Sequence, residues 1–199
     1  MLIREISDGH LEFLGDYHSH PSNNGRDWNT EMIVPSKDKD KETVLILAGD
    51  IIMIKFKERY TQFFKELNER FRKVLVIMGN HEHYRNNFKT GYRDYKLFLE
   101  PFENIHLLEK ETIVIDNVAF FGATLWTDFN KRDPFAMGYA INAMSDYQVI
   151  NYVAEDGTGG NIGKWTPELS VLEHEETLYH MIEFFRKYKE VTLKKFRWG

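Results

Sequence analysis

Three short stretches carry residue types suited to metal-assisted hydrolysis, and each follows an apolar run. Asp8 and His10 stand two apart in Ser7-Asp8-Gly9-His10, Asp50 closes Ala48-Gly49-Asp50, and Asn80, His81, Glu82 and His83 follow Met78-Gly79. Taken alone, Gly-Asn-His is equally a polar loop after a strand. Its recurrence with the other two strand ends points to chemistry. Carboxylates held close in a partly buried place repel, and no Lys or Arg adjoins these stretches in sequence, so a divalent cation is the natural resolution. Carboxylate, imidazole and amide donors suit Mn, Fe or Zn rather than Ca, which prefers oxygen alone. Asp50 is then the natural bridge between two ions roughly 3.5–4 Å apart, which would activate a water and clamp a phosphoryl oxygen during in-line displacement. His81, beside Asn80, is placed to protonate the leaving oxygen and is the candidate catalytic residue. Asp8, His10, Asp50 and Asn80 are the candidate metal ligands.

The elements that must position these residues can be read from periodicity. Leu2 to Ile6, Thr43 to Leu47 and Val74 to Ile77 are short apolar runs of the kind buried on both faces of a sheet. Between the last two, Phe56, Tyr60, Phe63, Phe64, Leu67 and Phe71 recur at helical spacing, which predicts an amphipathic helix over Lys55–Phe71. Strand, helix, strand at this length is a βαβ unit with parallel strands and a right-handed crossover, so Asp50 and Asn80 should leave the same sheet edge. Further on, a helix is expected over Phe88–Leu99, with strands at Ile105–Leu108, Thr112–Ile115 and Val118–Phe121. Asp116-Asn117 should form a hairpin turn. An irregular insert, Asp133 to Gly163, has a possible helix near Phe135–Met144. Thr166-Pro167 opens a last helix, expected to run to about Lys187 with Leu178, Ile182 and Phe185 inward and Glu173, Glu175 and Glu176 in solvent. Glu190 to Leu193 reads as one more strand.

The 199 residues include no cysteine, which excludes disulfides and thiolate metal sites. Lys plus Arg number 26 against 31 Asp plus Glu, and a net charge of −5 argues against nucleic acid as a partner while leaving room for a small phosphorylated substrate. No apolar run approaches membrane-spanning length, so no membrane role and a cytoplasmic location are expected. The 15 Phe, 10 Tyr and 4 Trp suit one packed domain over 1–199.

The wording I-S-D-G-H-L-E-F, V-L-I-L-A-G-D-I, V-I-M-G-N-H-E-H-Y and F-F-G-A-T-L-W-T-D-F resembles the calcineurin-like metallophosphoesterases, most closely their small bacterial and phage phosphohydrolases. The resemblance runs from Leu2 to about Val191. It implies an α/β fold, a β-sandwich flanked by helices with the active site at strand ends. It also implies that Asp8 and His10 bind one metal, Asp50 bridges, Asn80 binds the second and His81 is the acid. The family's later motifs, a histidine after a following strand and a Gly-His-x-His, have no counterpart here, and His174 and His180 match neither pattern. The chain therefore reads as the N-terminal two-thirds of the family domain, with its metals incompletely held. Two functions stay open: a metal-dependent phosphoesterase acting on monoesters or diesters, and a catalytically impaired phosphoesterase fold kept as a binding module. An incomplete sheet edge suggests a second copy or a separate chain as partner. His18 and His20, in a polar loop, are expected to stay in solvent rather than to join the metal.

Overall fold

The computed structural model describes residues 1–15, 28–153 and 163–195, with backbone alone from 189. A four-stranded parallel sheet forms its centre, in the order β1 (Leu2–Ile6), β2 (Thr43–Ala48), β3 (Lys73–Ile77) and β4 (Ile105–Leu108). Side chains alternate strictly across it. Leu45, Leu47, Val74, Val76, Ile105 and Leu107 point to one face, and Val44, Leu75 and Leu108 to the other.

The first face is covered by helices. A short α1 (Thr30–Ile33) lies ahead of β2. A 3-10 segment, Ile54–Tyr60, leads into α2 (Thr61–Arg70), which buries Phe63, Phe64 and Leu67. The helix predicted over Lys55–Phe71 is thus divided at Tyr60–Thr61, and its 3-10 part is itself kinked at the non-helical backbone of Phe56. Next comes α3 (Phe88–Leu99), capped by the Asn87 side chain and anchored by Tyr95 and Leu99. The opposite face receives the hairpin of β5 (Glu111–Ile115) and β6 (Val118–Gly122), where Ile115, Ile113 and Phe120 meet Val44, Leu75 and Leu108. A parallel sheet opposed by a two-stranded layer, with helices outside, is the sandwich arrangement that the sequence implied. Asp116 takes the left-handed conformation its hairpin turn needs (φ 55).

The insert has its own core. After α4 (Phe129–Arg132), a single turn with φ of 50 to 66, come α5 (Pro134–Ala143), α6 (Asp146–Val149) and a two-residue pair, β7 (Asn151–Tyr152) with β8 (Gly163–Lys164). Trp126, Phe129, Tyr147, Ile150, Trp165 and Val171 cluster there, against Tyr84 and Phe88 of the neck beside β3.

The last helix, α7 (Pro167–Lys195), corrects two expectations. It continues through Glu190–Leu193, where a strand was predicted. A lone four-residue strand has no ladder to join, whereas each residue added to a formed helix gains a backbone bond. Its inner seam runs through Val171, Thr177 and Phe184, the last against Phe121 at 5.6 Å, so Ile182 (47% exposed) and Phe185 (59% exposed) face outward. Glu173 and Glu176 pair with Lys110, and Glu175 with Arg132, on the polar side. No helix among the described residues is long and apolar enough to cross a membrane.

Candidate metal centre

Register aligns the carboxyl ends of the central strands. Ile6 pairs with Leu47, Ala48 with Ile77, and Ile77 with Leu108. The loops that follow are then stitched together beyond the strands. Asp8 N–H donates to the Gly49 carbonyl (3.1 Å), His10 N–H to that of Asp50 (2.9 Å) and Leu11 N–H to that of Ile51 (2.9 Å). Asp50 Oδ1 accepts from His81 N–H at 2.9 Å, tying the end of β2 to that of β3.

Glu82 completes the seam from inside. It is fully buried, and its two carboxylate oxygens accept the backbone N–H groups of Asp50, Ile51, Ile52 and Gly79 at 2.8–3.3 Å. Burial pushes this carboxyl up to about 7, against the pull of those donors. The sequence presents Glu82 beside its polar neighbours, but the side chain is a brace under the site and not part of its open surface. His83 also turns inward, stacked on Phe88 at 4.5 Å, and burial pushes it down to about 3.

Asp8, His10 and Asp50 come together, with donor atoms within 4.8 Å of one another, and His10 Nε2 lies 3.9 Å from Asp8 Oδ1. All three are in the left-handed backbone region, with φ of 52, 43 and 55. Such conformations are uncommon for residues with a side chain, and where they cluster they mark functional sites. Glycine is required at two points. Gly49 has φ 89, and Gly79 lies so close to Asp50 that an added methyl would overlap Oδ1 and sit 2.8 Å from the Asp50 nitrogen. Gly79 thus provides room for Asp50.

Asn80 stands next to this group and gives its amide N–H to Tyr84 Oη (3.1 Å), which donates in turn to the buried Asp146 at 3.3 Å. The Asn80 side-chain oxygen has no hydrogen-bond partner among the described residues. Burial and then Asp146 hold the Tyr84 phenol up. The His81 ring stacks on Tyr84 (4.2 Å) and meets His10 edge-on (4.3 Å). Among the described residues, no Lys or Arg forms an ion pair with Asp8 or Asp50. Two carboxylates and an imidazole within 4.8 Å of one another, with no Lys or Arg paired to either carboxylate among the described residues, fit a divalent cation. His18 and His20 lie outside the described residues. His174 is engaged elsewhere, 2.6 Å from the Trp126 carbonyl, and His106 sits half-buried in β4.

Reading the sequence missed Glu12, Tyr84 and Asp146. Glu12 stands in the first motif at D-x-H-x-E, a spacing that offered a signal. Asp146 lies 62 residues beyond Tyr84, with nothing local to connect them.

The sequence profile of the calcineurin-like phosphoesterases matches residues 6–193. An uncharacterised protein of Acanthamoeba polyphaga mimivirus is 27% identical over 178 residues, covering 84% of this chain and 59% of the viral protein. The crystal structure of a phosphopantetheinyl hydrolase from Mycobacterium tuberculosis superposes with a TM-score of 0.55 at 20% identity, over 92% of this chain and 62% of the other. The chain thus spans about six-tenths of the length of both.

Proposed function

Because the chain belongs to the calcineurin-like phosphoesterase family, we propose that its strand-end centre hydrolyses phosphate esters with the help of divalent metal. The observation that carries this reading is the convergence of Asp8, His10 and Asp50 within 4.8 Å, each held in a left-handed conformation by the stitched loops. Asp8 and His10 would hold one ion and Asn80 a second. Asp50, tied to the end of β3 through the His81 N–H, would be the ligand shared between them. When bound, divalent metal supplies Lewis acidity, withdrawing charge from a phosphoryl oxygen and making a water acidic enough to attack phosphorus near neutral pH.

The chain's own residues do the rest. Tyr84 orients the Asn80 amide by taking its N–H. His81, held flat against Tyr84, presents its free ring edge for proton transfer to the departing alkoxide oxygen. A small phosphorylated molecule is the proposed substrate class, and Mn²⁺ the metal to supply first.

The test uses protein stripped with EDTA and then assayed with and without Mn²⁺ on p-nitrophenyl phosphate and bis-p-nitrophenyl phosphate, which separate monoesterase from diesterase activity. Hydrolysis should need added metal and should vanish in Asp50→Asn. Activity that survives Asp50→Asn overturns the assignment. Tight metal binding without turnover of any phosphoester would identify a binding module instead.

A further inference from the structure

Glu12 joins the two imidazoles of the centre. Its side chain is 5% exposed, and a single oxygen, Oε1, lies 2.8 Å from His81 Nδ1 and 3.3 Å from His10 Nδ1. The other oxygen, Oε2, is buried without a hydrogen-bond partner among the described residues. The turn that begins at His10 (φ 43, ψ 50) brings the carboxylate there. Leu11 is sunk in the core at 1% exposure and bonded to Ile51, so the next residue is carried into the gap between the rings.

A carboxylate only accepts, so each ring must carry a proton on the nitrogen facing Glu12. That fixes what each ring shows on its other side. His10 turns Nε2 toward Asp8, and His81 would keep Nε2 for the leaving group. We propose that Glu12 is a positioning residue for both: through one oxygen it locks His10 and His81 with the proton on Nδ1, so that the metal donor and the proton donor are aimed by the same carboxylate. This rests on the roles proposed above for the two histidines. Carboxylates behind metal-binding imidazoles commonly set ring orientation and donor strength. Here the sharing couples metal binding to proton donation, so loss of Glu12 disturbs both together. The same atoms could instead be read as a metal site of their own, since Glu12, His10 and His81 also offer donors within 4.8 Å. An ion there would, however, have to displace both ring contacts to Oε1, at 2.8 and 3.3 Å.

The test compares wild type with Glu12→Met, which keeps the volume and loses the acceptor, and Glu12→Gln, which keeps one acceptor oxygen. Long-range ¹⁵N–¹H spectra of the histidine rings are recorded on metal-free protein at about pH 9, above the usual imidazole range, and assigned with His10→Gln and His81→Gln. Wild type and Glu12→Gln should show both protons on Nδ1, and Glu12→Met should not. Mn²⁺ affinity, followed by electron paramagnetic resonance, should weaken roughly 10- to 100-fold in Glu12→Met and be largely restored in Glu12→Gln. A wild-type ring protonated on Nε2 overturns the proposal. So does a Glu12→Met protein that is only less stable, with tautomers and affinity unchanged. If Glu12→Met does not fold, the wild-type and Glu12→Gln spectra decide. If wild type binds no Mn²⁺, the functional reading falls while the ring spectra still judge the lock.

Discussion

Gly79→Ala is an informative perturbation because the ordinary rule and this structure predict opposite signs. Gly79 does not have a positive φ, and at such a position alanine ordinarily stabilises by about 0.4–1 kcal/mol through the unfolded chain. Here the new methyl would overlap Asp50 Oδ1 and lie 2.8 Å from the Asp50 backbone nitrogen. Turning the Asp50 side chain away relieves only the first contact and breaks its bond to the His81 N–H. The second requires the loops to move apart. Overpacking costs about 1–3 kcal/mol, and a hydrogen bond to a charged group about 1.5–3 kcal/mol. A net loss of roughly 1.5–5.5 kcal/mol follows once the usual gain is subtracted. Gly138→Ala is the internal control. It lies within α5 with nothing within 4 Å of the added methyl, so it should stabilise by about 0.5–1 kcal/mol. Urea unfolding followed by circular dichroism measures both, and Mn²⁺ binding should fail in Gly79→Ala alone. If the two variants shift stability in the same direction, the close packing of Gly79 on Asp50 is refuted.

Two further changes probe the surroundings. His83 is pushed down to about 3 by burial, so it stays neutral in the fold while the unfolded chain takes up a proton near the ordinary value of about 6.5. The unfolded state then binds more protons, and this group's contribution to stability is lost as pH falls from 6.5 toward 3, by at most ~1.4 kcal/mol per pH unit. Glu82, raised to about 7, acts in the opposite sense between its ordinary value and 7, because the fold holds its proton more tightly. His83→Phe keeps the stack on Phe88 and removes only the first effect. Relative to wild type it should therefore gain stability progressively below pH 6.5, and a constant difference across urea titrations from pH 7.5 to 5 would contradict this. His174→Ala loses the bond to the Trp126 carbonyl and should cost ~1 kcal/mol with phosphoesterase turnover unchanged. A severe loss of turnover with stability intact would place His174 in the chemistry.

What the sequence revealed follows the range of the forces involved. β1, β3, β4 and α3 are set by local apolar period and caps, and their observed bounds fall within a residue of those expected. The βαβ crossover brought Asp50 and Asn80 to one edge, as parallel strands require. The inward turn of Glu82 could not be read, because four backbone donors from two loops decide it, and those loops meet only after folding. Asp146 escaped notice for the same reason, its link to Tyr84 spanning the insert. In α7 the apolar residues are too evenly spread for period alone to choose between Phe184 and Phe185. Contact with Phe121 of β6 makes the choice.

The left-handed residues explain why the centre is built from backbone bonds across loops. For an L-residue that conformation costs roughly 1–2 kcal/mol, and Asp8, His10 and Asp50 all adopt it. Unsupported, each would relax to the extended region and swing its donor away from the others. The bonds from Asp8 to Gly49 and from His10 to Asp50 hold the first loop on the second, and Glu82 clamps the N–H groups of Asp50 and Gly79 beneath them. The strain is met by hydrogen bonds that exist only when β1, β2 and β3 are in register. Donor geometry is therefore a property of the assembled sheet, and a change such as Gly79→Ala, which touches no donor atom chemically, should abolish Mn²⁺ binding as surely as replacement of a proposed ligand.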